Sequence, residues 1–307
     1  VTGPAQLAST GATAGPYLIG KLRALDVRLG EVEPRVLGKT REQGHDEDAC
    51  HDLRVALRRT RTVLEVGRKV LGRFHADEVR ATLRDLMRAS GALRDEEVLV
   101  GIVASLGVDR PDVSSWLESR RRREAVLRRA LVRLVASGQL EQGRHMLRAM
   151  LTFRVPAKRD RRLAKFARRA VEQAKRDLAR HEDAATDDVS ALHDLRIAYK
   201  RLRYTVETFD GNLPSDLSAL AHTAARFQKR LGDVHDVDVA IGAVRRARTL
   251  TPEGRDDLLA ALYKLRVERI AAYARERGGH IAPSVPPHGH GPRQAAGGEG
   301  LRKISTR

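Results

Sequence analysis

The feature that most constrains this chain is that it repeats itself. Residues 51–61 read HDLRVALRRTR and residues 193–203 read HDLRIAYKRLR, 142 positions apart and identical at seven of eleven. Glu65 and Glu207 keep that offset, and a second echo, GALRDEEV at 91–98 against GDVHDVDV at 232–239, follows at 141. Two matched blocks in matched order mark a duplicated unit, and the period is far too long for a solenoid. Two similar helical bundles facing one another about an approximate two-fold is the simplest arrangement the repeat predicts.

The pattern inside the repeat is helical and two-faced. At 100° per residue, His51, Arg54, Arg58 and Arg61 project at about 0°, 300°, 340° and 280°, a single narrow stripe. Leu53, Ala56, Leu57, Val63, Leu64 and Val70 fall on the opposite side. In the second copy His193, Arg196, Lys200 and Arg203 form the stripe, and Leu195, Ala198, Leu202, Val206 and Phe209 the apolar face. Stacked cations destabilise a helix by about 0.2–0.5 kcal/mol per pair. Local folding has no use for such a stripe twice, whereas a polyanion lying along it would relieve the repulsion. Arg offers forked donors suited to phosphate oxygens, and Lys a compact charge. Asp52 and Asp194 could soften the repulsion but project to one side, at about 100°. Arg59 and Arg201 also repeat, but at the apolar margin, where they flank a neighbouring helix or form salt bridges.

Bulk properties agree. The apolar residues are mostly Leu, Ala and Val with only 4% aromatics, which favours an all-α fold over a sandwich or barrel. Lys and Arg number 58 against 40 Asp and Glu, a formal charge of +18 that attracts nucleic acid, an anionic membrane surface or a long inorganic phosphate chain. A basic but inert surface is the plain alternative. Cys50 is the sole cysteine, so there is no internal disulfide and no cysteine-rich zinc site, and it reads as a small buried residue. No stretch has the length of a membrane span, and the first thirteen residues lack a secretory pattern, so a cytoplasmic protein is expected.

Along the chain, residues 1–16 read as a disordered lead-in, 17–155 as the first half, 156–277 as the second, and the Gly/Pro/His-rich 278–307 as a disordered tail. The first helix runs from Tyr17 to about Arg41, with Pro34 as a kink or late boundary. Helices follow over about 47–71, 76–90 and 94–105, then through the basic stretch 112–136 and on to about Thr152, with a junction near Pro156. The second half predicts helices over about 158–182, 189–209, 217–231, 236–248 and 252–277. Gly91 and Gly232 read as interruptions, and His235, Asp236 and Asp238 as helix-start and capping residues. His280, His288 and His290 fall in the tail and make no dedicated metal site.

With both blocks in view, the sequence resembles a CHAD domain, the conserved-histidine alpha-helical domain. The resemblance rests on HDLRVALRRTR at 51–61 and HDLRIAYKRLRYTVETF at 193–209, is supported by LRD at 93–95 and LGDVHD at 231–236, and extends over about residues 17–277. It implies two pseudo-symmetric four-helix bundles packed around a basic central groove or channel, binding of inorganic polyphosphate, and association with polyphosphate granules and their other proteins. Carried over, the family's histidines correspond to His51 and His193, and its cations to Arg54, Arg58, Arg61, Arg196, Lys200 and Arg203. Arg84, Arg88, Arg226, Lys229 and Arg230 are weaker candidates on the helices that follow, and the cations of 120–133 have no assigned facing. Many relatives carry a CYTH triphosphatase domain ahead of this one, and the residues before the first helix hold no counterpart to it. Arg94 is matched by His235, so the halves need not contribute equally.

A catalytic reading finds no support in the motifs. There is no glycine-rich phosphate loop with its Lys-Ser/Thr, no HExxH and no GxSxG, so non-catalytic binding without cofactor or metal is expected. Nonspecific nucleic-acid binding is the main competitor, because the same cations grip any phosphate backbone. Against it, no zinc finger or homeodomain signature appears, and Tyr199 and Tyr204 are the only aromatics in the cationic stretches. Weak cross-binding to DNA or RNA, and an accessory or regulatory role in phosphate metabolism, stay open at this point.

Overall fold

A computed structural model of the protein describes residues 12–39, 47–152 and 161–280. These residues form ten α-helices and no strand: α1 (Ala14–Val36), α2 (Glu47–Leu71), α3 (Arg73–Thr82), α4 (Arg84–Ser105), α5 (Pro111–Ala136), α6 (Gln139–Thr152), α7 (Leu163–Ala179), α8 (Val189–Thr208), α9 (Ser215–Arg245) and α10 (Pro252–His280). The boundaries follow local chemistry. Pro111 and Pro252 each open a helix, where a missing N–H costs nothing. Asp188 caps α8 by accepting a bond from the Ala191 N–H at 2.9 Å. Gly138 ends α5 at a φ of 82°, and its N–H returns to the Val135 carbonyl at 3.0 Å.

Helix starts echo the sequence repeat. α2 carries the first stripe and α8 the second; α3 begins 142 residues before α9, and α5 begins 141 before α10. α6 has no start at that offset among the described residues.

Several elements differ from the sequence expectation. α1 ends at Val36, two residues after Pro34 and short of Arg41. Residues 12–16 belong to the fold rather than to a lead-in, since the Ala12 carbonyl accepts from Leu163 N at 2.8 Å and α1 begins at Ala14. The break expected at Gly91 falls earlier, at Leu83 between α3 and α4. α9 runs unbroken through Gly232, which places His235, Asp236 and Asp238 inside a helix rather than at a helix start. A helix glycine costs only about 1 kcal/mol, and buried Leu231 and Val234 on either side outweigh it. The Pro156 junction, residues 1–11 and the tail beyond His280 lie outside the described residues.

Three apolar clusters hold the helices together. One gathers α1 to α6 with the start of α7. The second joins α7, α8, the front of α9 and Tyr273 of α10. The third sets Leu99, Val103, Val113 and Trp116 of α4 and α5 against Val237, Ile241, Val244 and Leu258 of α9 and α10. α2 also packs on α8, and α4 on α9, so both motif-bearing stretches meet in the interior. Phe209, at the end of α8, is fully buried in the first cluster, where it stacks on Tyr17 at 6.0 Å and meets Phe166 edge-on at 5.9 Å. Phe209→Ala is therefore expected to cost about 3–5 kcal/mol, read as a lower urea midpoint. A loss under 1 kcal/mol would mean that this contact does not tie α8 to α1.

Candidate functional site

The stripes predicted on α2 and α8 converge. Both helices bury their apolar faces (Leu53, Leu57 and Leu64 on α2; Leu195, Leu202 and Val206 on α8), and this rotation turns the cationic faces toward one another. Lys200 of α8 lies in the field of Arg58, Arg196, Arg54 and Arg61, and its amine is pushed down to about 7, first by burial and then by those four charges. Burial likewise lowers Arg54, with Arg58 adding to the effect, and lowers Arg196, which also feels Arg58 across the helix contact. A Cβ at Gly91 would stand only 3.1 Å from the Arg54 Nη1, so a glycine on α4 gives this guanidinium its room. Arg58 and Arg196 each bury an Nε donor that meets no acceptor.

Tyr204 organises one side of the cluster. Its hydroxyl accepts a hydrogen bond from Arg58 Nη1 at 2.7 Å, and its ring lies under the guanidinium groups of Arg58 at 5.7 Å and Arg203 at 5.5 Å. Arg203 donates to Glu207 at 2.6 Å. Sequence reasoning valued Tyr204 only as a possible base-stacking ring, because the Arg58 contact spans 146 residues.

Besides Glu207, two acids that act on the cluster come from the second repeat block. Asp95 of α4 and Asp236 of α9, 141 apart, both act on Arg196, and Asp95 acts on Arg54. Burial raises the Asp236 carboxyl against the pull of Arg196. The echo at 91–98 and 232–239 had carried this signal. Asp238 instead binds Arg266 at 2.6 Å.

The histidines part company. His193 faces His235, with the two Nδ1 atoms 3.3 Å apart, within reach of a hydrogen bond when one of them carries the proton. Burial and Arg196 lower both, His235 to about 4. His51 is exposed at its helix surface.

Of the weaker candidates, Arg226 and Lys229 share a cavity with two of the stripe cations. Arg226 and Arg230 reach Glu276 of α10 at 3.5 and 3.0 Å. With Lys229, Arg196, Arg203 and Asp236, Arg226 lines an open cavity of about 540 Å³. Arg84 and Arg88 are exposed, Arg88 beside Asp85 at 3.6 Å. In the 120–133 stretch, Arg120 and Arg123 bind buried Glu96 at 2.6 and 3.4 Å, and Arg128 binds Glu97 at 2.9 Å, which fixes α5 on α4. Asp52 serves Arg28 and Arg35 of α1, at 3.3 and 2.6 Å, rather than the stripe. Among the described residues no group of three or more His, Cys, Asp and Glu could hold a metal ion, and no helix is long and apolar enough to cross a membrane.

The model of the CHAD domain family matches residues 22–245. The fold is similar to the crystal structure of the CHAD domain from the plant Ricinus communis, with a TM-score of 0.69 at 20% identity, covering 92% of this chain and 98% of that one. It is also similar to PptA from Streptomyces chartreusis, with a TM-score of 0.57 at 15% identity over 87% and 97%. None of the curated proteins compared matches the chain.

The Lys200 environment has a stability consequence whose sign is fixed. Between about 7 and 10.5 the folded chain holds fewer protons at this amine than the unfolded chain, so stability rises with pH across that window. Lys200→Met should raise the thermal midpoint at pH 6, with the gain fading as pH approaches 10.5. Melting curves at pH 6, 8 and 10 check this, and a gain independent of pH would contradict it.

Proposed function

The chain belongs to the CHAD domain family, and from that premise we propose that it binds inorganic polyphosphate without catalysing a reaction. The observation that carries this reading is an interior cation cluster with no carboxylate at its centre. Lys200 has no carboxylate within salt-bridge distance among the described residues, although Arg54, Arg58, Arg61 and Arg196 all act on it. Phosphate oxygens would supply the missing counter-charge.

In this reading the duplication forms two pseudo-symmetric four-helix bundles, residues 17–155 and 156–277, about a basic groove. Arg54, Arg58, Arg61, Arg196, Lys200 and Arg203 grip successive phosphates, with His51 and His193 at the stripe ends. Arg226, Lys229 and Arg230 extend the path along α9, and Arg84 and Arg88 along α4. The protein then works in the cytoplasm at polyphosphate granules, alone or with other granule proteins.

A second reading, nonspecific nucleic-acid binding, draws on α7, whose exposed Lys165, Arg168 and Arg169 have no acidic partner among the described residues. The aromatics argue against it as the main role. Tyr199 is stacked on Phe227 at 5.0 Å, and the Tyr204 ring already carries two guanidinium groups, so neither ring is free to stack a base. An accessory or regulatory role in phosphate metabolism is compatible with the same binding.

The combined variant Arg54→Ala, Arg58→Ala, Arg196→Ala and Lys200→Ala tests the site. Wild type should gain several degrees of thermal midpoint with polyphosphate, through ligand linkage, and lose most of that gain in high salt. The variant should keep its helical circular dichroism and show no gain. A folded variant that is still stabilised by polyphosphate would remove the stripes as the site.

A further inference from the structure

Beyond the central cations, one cavity has a composition that the fold does not require. It lies between α1, α2 and α8, has a volume of about 590 Å³, and is lined by Lys21 and Arg28, by Arg59, and by Tyr204, Glu207 and Asp210 among others. Arg59 and Arg201 occupy the same motif position. Arg201 is neutralised, by Asp177 at 3.0 Å and Glu65 at 3.5 Å. Arg59 has no carboxylate within 4.0 Å among the described residues, and Lys21 contacts only the Tyr17 ring, at 5.4 Å. The other charges are largely spoken for: Arg28 binds Asp52 at 3.3 Å and Glu207 binds Arg203 at 2.6 Å. Two free cations against the single remaining carboxylate of Asp210 leave the cavity net positive.

Tyr204 connects this cavity to the cation cluster. Its side chain lines the cavity, and its hydroxyl holds Arg58 at 2.7 Å. A phosphate on Arg58 is thus one side chain away from Lys21 and Arg59. We infer that this cavity is a second phosphate station, in which Lys21 and Arg59 hold a further stretch of the polyphosphate chain bound at the central groove. The inference rests on the polyphosphate reading and adds to it a preference for chains long enough to reach both stations. The same phosphate chemistry could be supplied by a separate phosphorylated small molecule, which the test must distinguish.

The experiment titrates tripolyphosphate, long-chain polyphosphate and ATP into wild type, into Lys21→Gln/Arg59→Gln, and into the control Lys264→Gln/Arg269→Gln. The control removes the same charge from exposed positions on α10. The cavity variant should lose about three- to tenfold in long-chain affinity, with a salt dependence shallower by about 1.4 for two lost contacts. Its tripolyphosphate affinity should stay within about twofold of wild type, because a short chain needs only the groove. The control should match wild type for both. Unchanged long-chain binding, or equal losses in the cavity variant and the control, would overturn the second station. ATP binding that the cavity variant abolishes and saturating long-chain polyphosphate leaves intact would reassign the cavity to a small molecule. Failure of wild type to bind long-chain polyphosphate at all would instead remove the polyphosphate reading on which the station depends.

Discussion

Arg54 and Arg58 of α2 stand with Arg196 and Lys200 of α8 where the two helices meet, with Arg61 exposed at the margin, and their mutual repulsion shapes the centre of the molecule. Helix association is normally completed by apolar or oppositely charged side chains. Here the opposite faces of the two helices supply the attraction, through Leu53, Leu57, Leu64, Leu195, Leu202 and Val206, and the cationic faces are held together against their own field. The structure softens that field in three ways. Lys200 sheds its proton near neutrality, Tyr204 places a ring between guanidinium groups, and Asp95 and Asp236 act on the flanking arginines.

Those devices are lopsided, although the motifs repeat. Lys200 stands where the first copy has Arg58, Tyr204 where it has Thr62, and His235 where it has Arg94. Two of these changes replace a permanent charge with a group that is neutral or becomes so near physiological pH, and Tyr204 adds a ring and a hydroxyl for the guanidinium groups. The packing has its own asymmetry: α9 is one long helix where α3 and α4 are two, and Phe209 of the second stripe helix is buried in the first cluster. The repeated motifs thus keep their cations, while the groups that temper them come mostly from the second motif.

Much of this was legible in the sequence because helical spacing fixes facing. Leu53, Leu57 and Leu202 had to point away from Arg58 and Lys200 once α2 and α8 were helices, and the repeat made it natural for the two stripes to meet. Breaks were less legible. Gly91 and Gly232 read as interruptions by propensity alone, but buried neighbours carry both helices through, and the break in the first copy falls at Leu83 instead. Partner choice was the least legible. The Arg58–Tyr204 bond, the His193–His235 contact and the pairing of Arg120 with Glu96 join residues whose proximity only the tertiary arrangement creates. Arg59 and Arg201 show the limit most clearly: identical positions in a repeated motif, one neutralised by Asp177 and the other lining a cavity.

The central claim is that these converged cations take a bare phosphate chain in preference to a duplex. Calorimetric titration of the protein with long-chain polyphosphate and with double-stranded DNA, at matched phosphate concentration and about 0.15 M salt, tests it most directly. The account predicts tight, salt-sensitive binding of polyphosphate and much weaker binding of DNA. Equal or tighter binding of the duplex would contradict it and make the exposed cationic surface, rather than the interior cluster, the functional part of the molecule.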